Sequence, residues 1–104
     1  MTKTNDLTRI IQMNYRDRTL TFETQQDLFS PRYVDKGTIA MLETVSFMMD
    51  DIVLDLGCGY GVVGIVAAQA VKPENVFLVD VNPTAIEYST LNAQRNYVTD
   101  IHIL

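Results

Sequence analysis

The 104-residue chain is 47% hydrophobic with a formal charge of -5. That suits one domain with a modest core and disfavours a stand-alone nucleic-acid binder, which needs clustered Lys and Arg to neutralise phosphates. One cysteine, Cys58, and one histidine, His102, exclude an internal disulfide and form no metal-binding spacing, while the absence of an apolar run near 20 residues or of a secretory signal in MTKTNDLTRI makes a cytoplasmic protein without membrane contact the expectation.

In chain order, RIIQMNY and TLTFET are short, alternating and rich in Ile, Tyr, Thr and Phe, and the polar RDR between them predicts a β-hairpin whose turn lacks Gly or Asn. After LFSPRY, where Pro31 disfavours helix at Ser30, Ile39, Leu42, Val45 and Met49 fall at helical spacing and predict an amphipathic helix from Asp35 to Met49. IVLDL and VFLV are near-continuous apolar runs, the pattern of parallel strands buried on both faces. Between them Val62 to Val71 is apolar almost all round, which predicts a helix packed deep against the sheet until KPEN ends it. Asn82 followed by Pro83 starts a second helix, an N-cap and then proline at the first helical position, and the helix should run to about Asn96 before IHIL opens a third strand. The expected fold is α/β, a β-α-β-α-β half of a doubly wound sheet preceded by a β-hairpin and a helix. Residues 1–30 form the hairpin region and residues 31–104 the helix plus the β-α-β-α-β part.

Charge is uneven along this order. Up to Lys36, six basic residues (Lys3, Arg9, Arg16, Arg18, Arg32, Lys36) stand against five acidic ones; beyond it only Lys72 and Arg95 stand against eight. Contact with an anionic polymer would come from the N-terminal part; the simpler reading is a solvated hairpin with ordinary surface arginines.

The stretch DLGCGYGVVGI, Asp55 to Ile65, holds a literal G-x-G-x-x-G from Gly59 to Gly64 and also an acidic residue followed by glycines at alternate positions. Gly57, Gly59 and Gly61 fall in the loop after the first strand, where a ligand can approach the backbone because no Cβ intervenes. A tight turn without a ligand is the simpler alternative. Asp80, nineteen positions after Gly61, ends the second strand, where a carboxylate can accept both hydroxyls of a ribose and repel a 2′-phosphate. Asp55 separates the remaining cofactors: it would repel a diphosphate over the loop and attract an ammonium group, which S-adenosylmethionine has and NAD lacks. Asp55 serving backbone amides as a buried carboxylate remains the alternative. Gly64 then lies inside the first helix, where a small residue allows close approach to the sheet.

VLDLGCGYGVVGIVAA with VFLVDVNPTAIEYSTLNAQRN resembles the first two cofactor motifs of class I S-adenosylmethionine-dependent methyltransferases. LFSPRYVDKGTIAMLE resembles the preceding segment of the small-domain family that includes ribosomal RNA guanine-N2 methyltransferases, and the likeness covers about residues 15 to 104. The resemblance implies a Rossmann-like fold in which Asp55, Gly57 and Gly59 face the methionine part of S-adenosyl-L-methionine, Asp80 the ribose and Val81 the adenine. Lys36, Gly37 and Thr38 match a segment that closes over the cofactor, Cys58 is a small residue between glycines, and Tyr60 is a partial lid. That family holds the substrate base with an Asn-Pro-Pro-aromatic motif after the fourth strand; VNPT at Val81 to Thr84 follows the second strand and lacks the second proline and the aromatic.

The chain is therefore expected to be the cofactor-binding, N-terminal part of a methyltransferase acting on an RNA base amine, without turnover of its own. The other reading is a non-catalytic cofactor-binding or self-associating module. An NAD-linked oxidoreductase ranks third. The apolar first strand, unpaired on one edge, leads to the expectation of a homodimer.

Overall fold

The computed structural model describes residues 8–28, 30 and 33–104. Lys3, Phe29, Pro31 and Arg32, all part of the expectations above, lie outside the described residues.

Strands β1 (Thr8–Tyr15) and β2 (Arg18–Gln25) form the predicted hairpin, in register from Thr8 opposite Gln25 to Tyr15 opposite Arg18. A two-residue loop remains, Arg16-Asp17, and such loops require positive φ. With no Gly or Asn present, Arg16 takes φ 56°, and its guanidinium lies over the Tyr15 ring at 5.2 Å from the centroid. The alternation predicted for β2 buries Leu20, Phe22 and Thr24 on one face.

Helix α1 spans Lys36–Thr44, shorter than the Asp35–Met49 expected from the spacing of apolar residues. Asp35 caps it, its carboxylate accepting from the Thr38 amide at 3.1 Å. The far end stops early because the β-branched pair Thr44-Val45 breaks the pattern: Thr44 Oγ1 bonds back to the Met41 carbonyl and Val45 is already extended. Met49, the last of the residues at helical spacing, lies beyond the helix and is exposed.

The second sheet is parallel, in the order β3 (Val53–Leu56), β4 (Val76–Val79), β5 (His102–Ile103). Helix α2 (Val62–Ala67) joins β3 to β4, and α3 (Pro83–Arg95) joins β4 to β5, as the sequence predicts. Asn82 caps α3 through the Thr84 amide with Pro83 at the first helical position. Helix α2 ends at Ala67 rather than Val71; a turn follows, the Val71 amide still bonds to the Ala67 carbonyl, and Val71 stays buried.

Burial on both faces of the sheet is not observed. The register places Val53, Asp55, Val76 and Leu78 on one face, beneath α2, and Leu54, Leu56, Phe77 and Val79 on the other. Leu54 is 61% and Leu56 77% exposed, because among the described residues the helices and the hairpin all stack on the first face. β3 is also an edge strand, paired only with β4 among the described residues. No helix among them is long and apolar enough to cross a membrane.

The approach of α2 to the sheet depends on Gly64: a Cβ there would lie 2.3 Å from Leu78 Cδ1 and 2.6 Å from its Cγ. Leu78 is fully buried and has nowhere to move. Gly64→Ala is therefore expected to destabilise the chain by about 1–3 kcal/mol, overpacking outweighing the better helix propensity of alanine. A lower urea midpoint at unchanged slope would record it; an unchanged midpoint would mean that α2 stands further from the sheet.

Candidate cofactor site

Five residues, Gly57 to Gly61, turn the chain from β3 into α2. Gly57, Gly59 and Gly61 have φ of 75°, 57° and 102°, backbone that side chains with a Cβ rarely adopt. The loop is pinned from two sides. The Gly57 and Cys58 amides donate to the Val79 carbonyl at 2.7 and 2.9 Å, and the Gly59 amide to Asp80 Oδ2 at 3.0 Å. From α3, Ser89 Oγ donates to the Gly59 carbonyl at 2.8 Å and Asn92 Nδ2 to the Tyr60 carbonyl at 2.8 Å. Gly61 sits so close to α3 that a Cβ would be 3.3 Å from Ser89 Cα, whereas a Cβ on Gly57 or Gly59 would meet nothing within 4 Å. The outer side of the loop is thus open backbone, a cradle into which a ligand can settle.

Beside it lies a cavity of about 120 Å³ between the start of α1 (Val34, Asp35, Thr38) and the loop (Asp55, Gly57, Gly59). Drug-sized ligands occupy roughly 300–1,000 Å³, so this space suits one end of a cofactor, with the remainder lying over the open loop. Among the described residues, two carboxylates line the cavity and no Lys or Arg does. A cationic group is favoured there and a phosphate disfavoured.

Of the two possibilities left open by the sequence, the structure shows Asp55 serving a backbone amide. It is 8% exposed, and Oδ2 accepts the Gly64 amide at 3.0 Å; Oδ1 has no hydrogen-bond partner among the described residues. Burial pushes its pKa above the ordinary 3.8; the Gly64 N–H opposes the shift and the Asp80 carboxylate adds to it. An arriving cation would relieve this strain on the charged form. Cys58 is also raised, chiefly by burial, and its Sγ lies 3.3 Å from Ser89 Oγ.

Of the residues the sequence singled out, Thr38, Asp55, Gly57, Cys58, Gly59 and Tyr60 line the cavity. Gly61 does not; it caps α2 against α3. Asp80 stands at the end of β4, off the cavity, with Oδ2 on Gly59 N and Oδ1 on Asn82 N at 2.8 Å. Each oxygen retains a second lone pair for a further donor. Val81 is 100% exposed and forms no wall, because the chain bends outward between β4 and α3. Lys36 is exposed on the first turn of α1 and also off the cavity.

Tyr60 is a pillar rather than a lid. It is buried, its ring meets Phe22 edge-on at 6.1 Å, and its hydroxyl donates to the Ser30 carbonyl at 3.0 Å. Burial, with the Asp35 carboxylate adding, pushes its pKa up to about 12. Asp35, Ser89 and Asn92 were missed by the sequence reading. Only Asp35 carried a recognisable pattern, an N-cap acid three residues before Thr38.

The profile of the methyltransferase small domain matches residues 19–104, the whole of this site included. The chain belongs to that family. It is similar to the uncharacterized protein YbxB of Bacillus subtilis (strain 168), 34% identical over 91 residues, covering 85% of this chain and 44% of that protein. It is also 32% identical over 100 residues to the ribosomal RNA large subunit methyltransferase G of Vibrio vulnificus (strain YJ016), covering 93% of this chain and 26% of the relative. This methyltransferase small domain chain thus spans less than half the length of the curated relatives it matches here. In fold it resembles M. jannaschii TYW2, solved in complex with AdoMet, with a TM-score of 0.74 at 19% identity, covering 100% of this chain and 45% of that one.

The raised pKa of Asp55 has a definite sign in stability. Between 3.8 and the higher native value the folded chain binds more protons than the unfolded one, so this group's contribution falls as pH rises through that window. Asp55→Asn keeps an acceptor for the Gly64 amide and removes the charge. The stability of the variant relative to the parent is expected to grow as pH rises through the window and then level off, read from urea midpoints across a pH series. A difference that shrinks instead would mean that the fold favours the carboxylate over the acid.

Proposed function

We propose that this chain binds S-adenosyl-L-methionine over the glycine loop and is the cofactor-binding part of a methyltransferase acting on a base amine of RNA. The observation that carries the reading is the pairing of open backbone at Gly57 and Gly59 with a cavity that the carboxylates of Asp35 and Asp55 line, no basic side chain joining them among the described residues. Asp55 would hold the ammonium group, Thr38 would close the far side of that end, and Asp80 would take ribose hydroxyls. The bound cofactor supplies an electrophilic methyl group on sulfur. The chain fixes that group's position and excludes water around its methionine end, which favours in-line attack by a positioned amine. NAD fits poorly, since its diphosphate would meet Asp55 and Asp80.

RNA as the acceptor is supported by the likeness to the V. vulnificus ribosomal RNA methyltransferase. It is also supported by Arg9, Arg16 and Arg18 on the hairpin, with Arg95 and the 93% exposed Tyr97 beside β2. A cytoplasmic location accompanies this reading. Calorimetric titration of the chain is expected to show binding of S-adenosylhomocysteine and none of NAD; NAD binding the tighter of the two would overturn the cofactor assignment. Asp80→Ala removes charged hydrogen bonds of about 1.5–3 kcal/mol, so affinity is expected to fall roughly 10- to 150-fold. Unchanged affinity would take Asp80 out of the site.

We propose also that the β3 edge is a self-association surface. Ile52, Leu54 and Leu56 are exposed there, with no proline and no outward charge to block pairing. A symmetric dimer of sheet edges would cover them. Light scattering is expected to give a mass rising above 11.8 kDa with concentration; a constant 11.8 kDa would exclude association through this edge.

A further inference from the structure

Asn92 is fully buried on α3, and its carboxamide is used at every polar proton. Oδ1 accepts the Glu23 amide at 2.6 Å, and Nδ2 donates to the Glu23 carbonyl at 2.9 Å and to the Tyr60 carbonyl at 2.8 Å. One helical turn on, Asn96 repeats the first half of this pattern: Oδ1 accepts the Thr21 amide at 3.0 Å and Nδ2 donates to the Thr21 carbonyl at 2.8 Å. The spacing explains the pair. Four helical residues advance about 6 Å and two strand residues about 6.8 Å, so carboxamides at i and i+4 meet alternate residues of a strand. Counting from the two-residue loop, Thr21 and Glu23 fall in the pairs that turn their amides and carbonyls away from β1. The two asparagines therefore act as a substitute strand along the outer edge of β2.

Only Asn92 also reaches the glycine loop. The carbonyl that it holds lies between Gly59 and Gly61, and the other end of Tyr60 is fixed by Phe22 of the hairpin and by Ser30. If the hairpin shifts along α3, the Asn92 carboxamide must leave either Glu23 or Tyr60, since both of its protons are committed. We propose that Asn92 is a positioning residue through which the seating of the hairpin on α3 sets the geometry of the glycine loop. A ligand that engages the hairpin would thereby act on the loop without touching it.

Asn96 provides the control, since it shares the hairpin contact and has no bond to the loop. Amide hydrogen exchange by NMR on the whole chain is the first arm, and it needs no ligand. In Asn92→Ala the Gly59 and Gly61 amides are expected to exchange about tenfold faster, the loss of one buried hydrogen bond that leaves a carbonyl unpaired. In Asn96→Ala the Thr21 amide is expected to exchange faster while Gly59 and Gly61 hold their parent rates. Equal acceleration of the loop in both variants, or none in Asn92→Ala, would overturn the proposal. Should Asn92→Ala fail to fold, Asn92→Leu carries the same comparison: it is close in size and shape, fills the same space and loses both donations. The second arm rests on the reading of the loop as a cofactor cradle: affinity for S-adenosylhomocysteine is expected to fall about tenfold in Asn92→Ala and to hold in Asn96→Ala. If the parent chain binds no S-adenosylhomocysteine while the exchange pattern holds, the cofactor reading fails and the role of Asn92 stands.

Discussion

The turn from β3 into α2 must be made in five residues, and the backbone manages it only by entering the left-handed region three times. Such a loop has one backbone hydrogen bond of its own, from the Gly61 amide to the Cys58 carbonyl at 2.9 Å, so its other amides and carbonyls must be met from elsewhere. β4 supplies the Val79 carbonyl and the Asp80 carboxylate; α3 supplies Ser89 and Asn92. Much of the rest of the structure serves that requirement. α3 has to lie where Ser89 and Asn92 reach the loop, and the hairpin packs on α3 through the same helix face. Gly64 lets α2 sit close enough to the sheet for Asp55 to meet its amide.

Structural duties fall on the same acids that the proposed function assigns to the cofactor. Asp55 ties the end of β3 to the first turn of α2, and Asp80 holds the loop to the end of β4. Each spends some of its acceptor capacity on the backbone and keeps some. The cost is a charged group in a place where burial favours the neutral acid, and a neighbouring carboxylate sharpens it. Paired carboxylates disfavour a phosphate beside this loop, although its sequence contains a literal dinucleotide-binding fingerprint. The third glycine of that fingerprint, Gly64, does packing work against Leu78.

The parts legible in the sequence were those governed by local chemistry. The alternation in β2, the Asn82-Pro83 start of α3 and the alternate glycines each carry their own physical reason within a few residues. What was misread depends on distant partners. Apolar strands imply burial on two faces, yet Leu54 and Leu56 face outward because every described layer stacks on the other side. The pattern in α1 ran on to Met49, while Thr44 and Val45 ended the helix locally. Tyr60 resembled a lid because it stands within the glycine loop; its burial follows from Phe22, Ser30 and Asn92, contacts made across 30 or more residues. The pairing of Asn92 and Asn96 with β2 spans 69 and 75 residues, and nothing near either asparagine announces it.

The central claim is that the open backbone at Gly57 and Gly59, between the carboxylates of Asp55 and Asp80, receives a phosphate-free adenosyl cofactor at its cationic end. The most direct measurement is a map of ¹H–¹⁵N chemical-shift changes as S-adenosylmethionine is added to the chain. The account predicts saturable changes at Thr38, Asp55, Gly57, Gly59 and Asp80, with the hairpin tip at Arg16 and Asp17 unmoved. Changes centred away from the glycine loop, or the same changes produced at lower concentration by NAD, would contradict it.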